Sequence, residues 1–310
     1  DPLKTFDDDP LRMMRAIRFA TQLEFRIEEE TFAAITKMAH RLCIISMERI
    51  TDELNKIIGS PKPSIGFTMM FKTGLLKEFL PEMVDLYGVD EVNGHRHKDN
   101  FWHTLQVLDN TAEMSDDLWL RWAAILHDIA KPPTKRYQEG IGWTFHGHDA
   151  LGAKWTKNIF RRLHLPLDDR MKFVQKLVRL HLRPIALVDS DVTDSAVRRL
   201  IYDAGNDIDS IMTICRAYIN SKNESKVARY LHNFDIVESK IKEVEEKDRI
   251  RNWKNPVSGE EIMQIFDVGP GRLIGDVKDA VKEAILNGEI PNDHDAALNY
   301  IREHKQEFVN

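Results

Sequence analysis

Apolar residues recur at helical spacing along almost the whole 310-residue chain, while alternating runs rich in Val, Ile and Thr are almost absent. A helix returns a side chain to the same face every three or four positions and a strand every second one, so this period predicts an all-α, multi-domain fold. At roughly 150 residues per domain the length corresponds to about two domains, or more if the units are small. Three turn-rich stretches, Gly59 to Ser64, Gly88 to Gly94 and Asn252 to Gly259, interrupt the pattern. They divide the chain into helical blocks, and domains over 1–90, 91–222 and 223–310 are expected. With 42% hydrophobic and 30% charged residues the composition is that of a soluble globular protein. The apolar runs are short, Ala123-Ala124-Ile125-Leu126 being cut off by His127, so no membrane partner and a cytoplasmic location are expected. Cys43 and Cys215 lack Cys-x-x-Cys spacing, which excludes a zinc knuckle or disulfide framework and predicts buried, reduced thiols. The first residues are Asp1-Pro2 rather than Met, and further sequence is expected upstream.

The formal charge is −6, but it is unevenly spread. From Lys154 to Arg183 nine basic residues face two acidic ones, Asp168 and Asp169, a local charge of +7. Such a stretch is a solvated helix face or a grip for phosphates.

Asp7-Asp8-Asp9-Pro10 is a helix-start signal, with an Asp at the cap and a Pro where the first N–H is unused. Arg12, Arg15 and Arg18 follow in steps of three and form one stripe, with Leu11, Met14 and Ile17 on the adjoining side. A carboxylate beside a planar guanidinium accepts and donates in one plane, which suits the edge of a nucleobase or a phosphate. Spacing alone equally describes a capped surface helix with intrahelical ion pairs. The central region gathers His103, His127 with Asp128, His148 and His181. His127 and Asp128 are expected to end a helix from Trp119 to Ala130, stopped by Pro132 and Pro133. Imidazoles and a carboxylate without thiolates suit a divalent ion (Mg, Mn, Fe, Ni or Zn), which lowers the pKa of water for attack on a phosphate ester. Without a metal, His127 would cap its helix and Asp128 would hold a loop N–H.

Asp8-Asp9-x-x-Arg12, continuing as Met-x-Arg-Ala-x-Arg-Phe-Ala, resembles the nucleotide-selecting motif of bacterial tRNA nucleotidyltransferases, the CCA-adding and poly(A) polymerase family. Ile44 to Leu54 resembles that family's next helix pair. His103, then His127-Asp128-Ile129-Ala130-Lys131-Pro132, then Phe145-His146-Gly147-His148-Asp149, then His181 resembles the HD phosphohydrolase domain fused to it. The resemblance covers effectively the whole chain. It implies that Asp9 and Arg12 pair with the base of ATP or CTP, with Asp8 and Arg15 in support. It also implies that His103, His127, Asp128, His148 and His181 are metal ligands, with His127 and Asp128 as the catalytic pair. Lys131 and Arg183 would meet phosphate, and Arg272, where Val268 to Leu273 enters a helix, would meet the tRNA backbone. His95, His97 and His146 are neighbours rather than ligands.

The polymerising head of the family, with its Gly-Ser signature and metal-holding Asp-x-Asp pair, is not among the 310 residues. The chain alone is therefore expected not to polymerise, while the intact protein would extend the 3′ end of tRNA or another RNA. The family's closing Asp, in Cys-Arg-Ala-Asp, is here Tyr218 in Cys215-Arg216-Ala217-Tyr218. A phenol of ordinary pKa about 10 replaces a carboxylate poorly. The departure implies a single weakly held ion, recruitment of Asp191 or Asp194, or a fold that has lost hydrolysis. A stand-alone metal-dependent phosphohydrolase and a non-catalytic RNA-binding module are the alternative readings, and the oligomeric state stays open.

Overall fold

A computed structural model describes residues 1–188, 193–219, 224–248, 250–251 and 253–309. These residues are predominantly helical and form two compact units, one built from 1–182 and 210–227, the other from 183–209 and 228–310.

The first unit opens with α1 (Pro2–Asp8), α2 (Leu11–Leu23), α3 (Glu29–Met38), α4 (Met47–Ile58), α5 (Ser64–Thr73), α6 (Leu75–Phe79) and α7 (Pro81–Val84). The stripe Leu11, Met14 and Ile17 is buried with Met13 and Ala20, and α2 packs on α4 and α5 through it. Gly66 allows that approach, because a β-carbon there would lie 2.5 Å from Ile57 Cγ2 and 2.7 Å from Thr21 Oγ1. Cys43 is exposed rather than buried. It sits in the 3₁₀ turn Ala39–Ile44, whose inward face repeats every third residue and is taken by Ala39 and Leu42.

Two antiparallel hairpins interrupt the helices, β1 (Glu91–Val92) with β2 (His95–Arg96) and β3 (Arg136–Gln138) with β4 (Gly142–Thr144). Strands of two or three residues are too short to print a period. The first hairpin does have a local signal, because Asn93 (φ 51°) and Gly94 (φ 77°) supply the two left-handed positions of a tight two-residue turn. The unit continues with α8 (Asn100–Met114), α9 (Leu118–Leu126), α10 (Lys131–Thr134), α11 (His148–Arg162) and α12 (Asp169–Leu180). Here α9 packs on α8 and α12, and α11 on α12.

The second unit holds α13 (Arg183–Val188) and α14 (Asp194–Ala204). Both α15 (Ile208–Tyr218) and α16 (Glu224–Asp248) contribute residues to each unit. The second unit ends in α17 (Gly259–Phe266), α18 (Arg272–Asn287), α19 (His294–Glu303) and α20 (Lys305–Val309), with α18 packed on α14, α17, α19 and α20. Ser258 caps α17, and the cap is a reciprocal one. Ser258 Oγ accepts the Glu261 N–H at 3.2 Å, and Glu261 Oε2 accepts the Ser258 N–H at 2.8 Å. Those bonds, with His294 behind them, lower the Glu261 carboxyl to about 2. Ser258→Ala is expected to cost about 1 kcal/mol in chemical denaturation at neutral pH. A depressed carboxyl stabilises the fold above its ordinary pKa of 4.5 and loses that contribution as the pH falls through about 2. The gap between variant and wild type should therefore close over that acidic range.

Candidate metal centre and nucleotide-reading helix

Four short-range devices aim the central imidazoles. Asp99 caps α8 by accepting the Phe101 and Trp102 N–H groups, which sets His103 on the first turn. Helix α9 stops at Leu126, four residues before the sequence expectation of Ala130, and residues 127–130 form a turn. Pro132 and Pro133 occupy the start of α10, where their missing N–H groups cost nothing, and a helix running through them is excluded. His127 and Asp128 thus stand on a turn and point to one place, although successive helical residues would diverge by about 100°. Gly147 (φ 81°) turns the chain into α11, whose first residue is His148, and His181 caps the end of α12.

His127, Asp128 and His181 are fully buried, and His103 and His148 nearly so. Three of the rings are locked by the carbonyl three residues before them. The Nδ1–H of His127 donates to Ala124 O at 2.6 Å, that of His148 to Phe145 O at 2.7 Å, and that of His181 to Val178 O at 2.7 Å. A carbonyl only accepts, so Nδ1 carries a proton and each Nε2 is the nitrogen turned inward, the one with a lone pair to offer a metal in the neutral ring. His127 therefore caps its helix with one nitrogen and faces the cluster with the other. Around Asp128, Oδ1 lies 3.3 Å from His148 Nε2 and 3.7 Å from His181 Nε2. Oδ2 lies 3.1 Å from His127 Nε2, 3.8 Å from His103 Nε2 and 2.7 Å from Lys131 Nζ. Among the described residues, His127 Nε2 and both Asp128 oxygens form no hydrogen bond of acceptable geometry. Buried lone pairs turned toward one another are unfavourable unless a cation sits among them, and this nitrogen and oxygen donor set fits a divalent metal.

Burial pushes the His103 imidazole down to about 3, against the pull of Asp128, and also lowers His181. Burial opposes the charge on Asp128, yet attraction to His127 and Lys131 holds its carboxyl well below the ordinary range. Lys131 is likewise opposed by burial but raised by Asp128 and Tyr218. Lowered imidazoles at His103 and His181 beside an ionised Asp128 are in the protonation state that metal binding requires. Tyr218, raised by burial and by Asp128, stays a neutral phenol. Its ring meets those of His103 and His127 edge-on at 4.7 and 5.5 Å. Neither carboxylate suggested as a replacement joins it, as Asp194 pairs with Lys240 at 2.9 Å in the second unit and Asp191 lies outside the described residues.

Of the other residues read as site candidates, Arg183 pairs with Asp203 at 3.5 Å within the second unit. Arg272 begins α18 with a side chain 93% exposed, 3.6 Å from Asp276. Asp8 ends α1, exposed. Asp9 Oδ1 accepts the Leu11 N–H at 3.2 Å, with Arg49 3.7 Å from its other oxygen, and Arg12 turns Nη1 to Thr5 O at 3.3 Å. The two share a helix turn without pairing to each other. The basic face is partly neutralised by Arg162–Glu82, Arg170–Asp168, Lys172–Asp169 and Arg179–Asp149 pairs. Among the described residues, Lys154, Lys157 and Arg161 have no carboxylate partner.

Glu53, which the motif reading passes over, anchors the arginine stripe. It is 3% exposed and lies 3.6 Å from Arg15, 3.2 Å from Arg18 and 3.7 Å from Lys56. The signal was a carboxylate on the apolar face Ile50, Leu54, Ile57 of α4. Glu53→Gln is expected to destabilise the chain by about 2 kcal/mol, measured by urea unfolding, because Arg18 loses the charge it is buried against.

Residues 24–86 match the family model described as a probable RNA and SrmB-binding site of polymerase A, and residues 100–199 match the HD domain. The chain is 32% identical over 299 residues to the A-adding tRNA nucleotidyltransferase of Deinococcus radiodurans, covering 93% of this chain and 67% of that protein. In fold it is similar to the Bacillus stearothermophilus CCA-adding enzyme solved with CTP (TM-score 0.67, 20% identity), matching 99% of this chain and 64% of that one. It is also similar to a CCA-adding enzyme solved with ATP (TM-score 0.53, 17% identity, 99% and 62%). This chain thus spans a little under two thirds of the solved enzymes it resembles. Sequence likeness of that extent, running through nearly all of the described fold, makes this chain a member of the tRNA nucleotidyltransferase family.

Proposed function

We propose that this chain is the nucleotide-selecting and RNA-holding portion of a cytoplasmic enzyme that adds nucleotides to the 3′ end of tRNA. In this reading 1–90 is the neck, 91–222 the HD domain and 223–310 an RNA-binding tail. The observation that carries it is the 32% identity to an A-adding enzyme along 93% of the chain. Asp9 and Arg12 offer an acceptor and a planar donor fork on one helix turn, the complement of the Watson–Crick edge of ATP or CTP. Arg12 gives up only one backbone contact to meet a base. Asp8 and Arg15 flank the pair, and Arg15 is steadied by Glu53. Arg272 and the unpaired lysines of α11 are the phosphate contacts. The test uses the protein with whatever sequence its gene places before Asp1, a tRNA ending in CC, and labelled ATP or CTP. Nucleotide addition is expected, with Arg12→Ala lowering it about a hundredfold while tRNA affinity, falling as salt rises, stays unchanged. Absence of addition to any tRNA, or an Arg12→Ala variant as active as wild type, would overturn the reading.

The inward-facing lone pairs favour a second, hydrolytic reading of the same chain. His103, His127, Asp128, His148 and His181 are the residues that would hold a divalent ion. Such an ion supplies electrophilic activation of a phosphate ester and of water. His127 and Asp128 orient the reacting groups, Lys131 presents an ammonium to the phosphate, and burial excludes bulk water. Arg183 is a further phosphate contact in this reading.

A further inference from the structure

The two ligand triads that share Asp128 are not equivalent. The triad of Asp128 Oδ1, His148 Nε2 and His181 Nε2 has edges of 3.3, 3.7 and 3.4 Å. An ion bonded at 2.0–2.1 Å in tetrahedral geometry sets its ligands about 3.4 Å apart, so this triad is already close to a coordination face. The triad of Asp128 Oδ2, His103 and His127 is built differently. The Lys131 ammonium stands 2.7 Å from that oxygen and 5.9 Å from the centre of the Tyr218 ring. Tyr218 also lays its ring against His103 and His127.

Charge counting gives the same asymmetry. Asp128 is the single carboxylate in both triads. Two divalent ions plus Lys131 would bring five positive charges into a buried site against one negative charge, with Lys98 Nζ a further cation 3.0 Å from His103 Nδ1. One ion plus Lys131 brings three. Without a second carboxylate the larger charge has no compensation in a medium of low dielectric.

We propose that this centre holds one divalent ion, on Asp128 Oδ1, His148 and His181, and that Lys131 with Tyr218 permanently fills the place of a second. This rests on the reading of the cluster as a metal site. The Lys131 ammonium then acts as a fixed cation beside the ion, able to meet a phosphate oxygen without a second metal. The arrangement keeps the centre mononuclear at any metal concentration.

Metal counting on the full chain tests this, using Mn²⁺ with equilibrium dialysis, elemental analysis and electron paramagnetic resonance. One equivalent is expected, with the six-line spectrum of an isolated ion and no exchange coupling. His148→Gln should weaken binding at least tenfold, and His103→Gln by less than about threefold, with circular dichroism confirming that both fold. The double variant Lys131→Met, Tyr218→Asp should bind two equivalents and show coupled signals. A wild-type chain that takes two ions, a single ion lost in His103→Gln and kept in His148→Gln, or a double variant still limited to one would each overturn the proposal while leaving the metal reading intact. No binding at all would overturn both.

Discussion

Asp128→Ala is expected to empty the proposed metal centre, lowering divalent-ion affinity about a hundredfold or more in calorimetric titration and abolishing any metal-stimulated phosphate release. The size of the effect follows from position. Asp128 is fully buried, it is the one carboxylate common to both ligand triads, and each of its oxygens faces two imidazole nitrogens. Neutral rings alone do not offset the cost of taking a divalent ion out of water. Asp128→Asn keeps the shape and removes the charge, so it should lose nearly as much affinity and thereby separate charge from packing. Wild-type affinity in either variant would show that the convergence of these side chains is structural only.

Arg121→Ala should cost about 3–5 kcal/mol in urea unfolding, the largest stability loss expected outside the centre. Arg121 is 2% exposed inside the apolar helix α9, and its guanidinium donates to four backbone carbonyls. These are Ile58 O and Ser60 O at 2.9 Å, Ser115 O at 3.0 Å and Ala112 O at 3.3 Å. It thereby ties the end of α4 to the end of α8. Removing it leaves the buried Ile58 and Ser60 carbonyls without that donor and frees the Asp116 carboxylate, 3.2 Å from Nη2. Arg121→Lys should recover only part of the loss, since one ammonium cannot reach carbonyls spread around a planar fork. A change below about 1 kcal/mol in the alanine variant would contradict this account.

The helical class, the cap at Ser258, the buried stripe of α2 and the histidines of the centre could all be read from residue order. Each depends on spacing within one segment or on a motif whose residue types announce their chemistry. Arg121 and Glu53 could not be weighed in the same way. A charged residue within an apolar run signals only that a partner exists, and the partners lie in other helices. The two hairpins escaped because their strands are too short for a period, although Asn93-Gly94 marked one turn. The end of α9 was misplaced by four residues for a related reason. The prolines forbid a continuous helix, but they do not say at which residue before them α9 ends.

Local order therefore determined which segments are helices, which faces they bury and which side chains have the chemistry of a centre. Only the tertiary structure decided that Asp128 stands between two triads and that Lys131 and Tyr218 occupy one of them. Periodicity is carried by neighbours three or four residues apart. A coordination site is assembled from lone pairs as far apart in the chain as His103 and His181, and their distances exist only once the helices have packed.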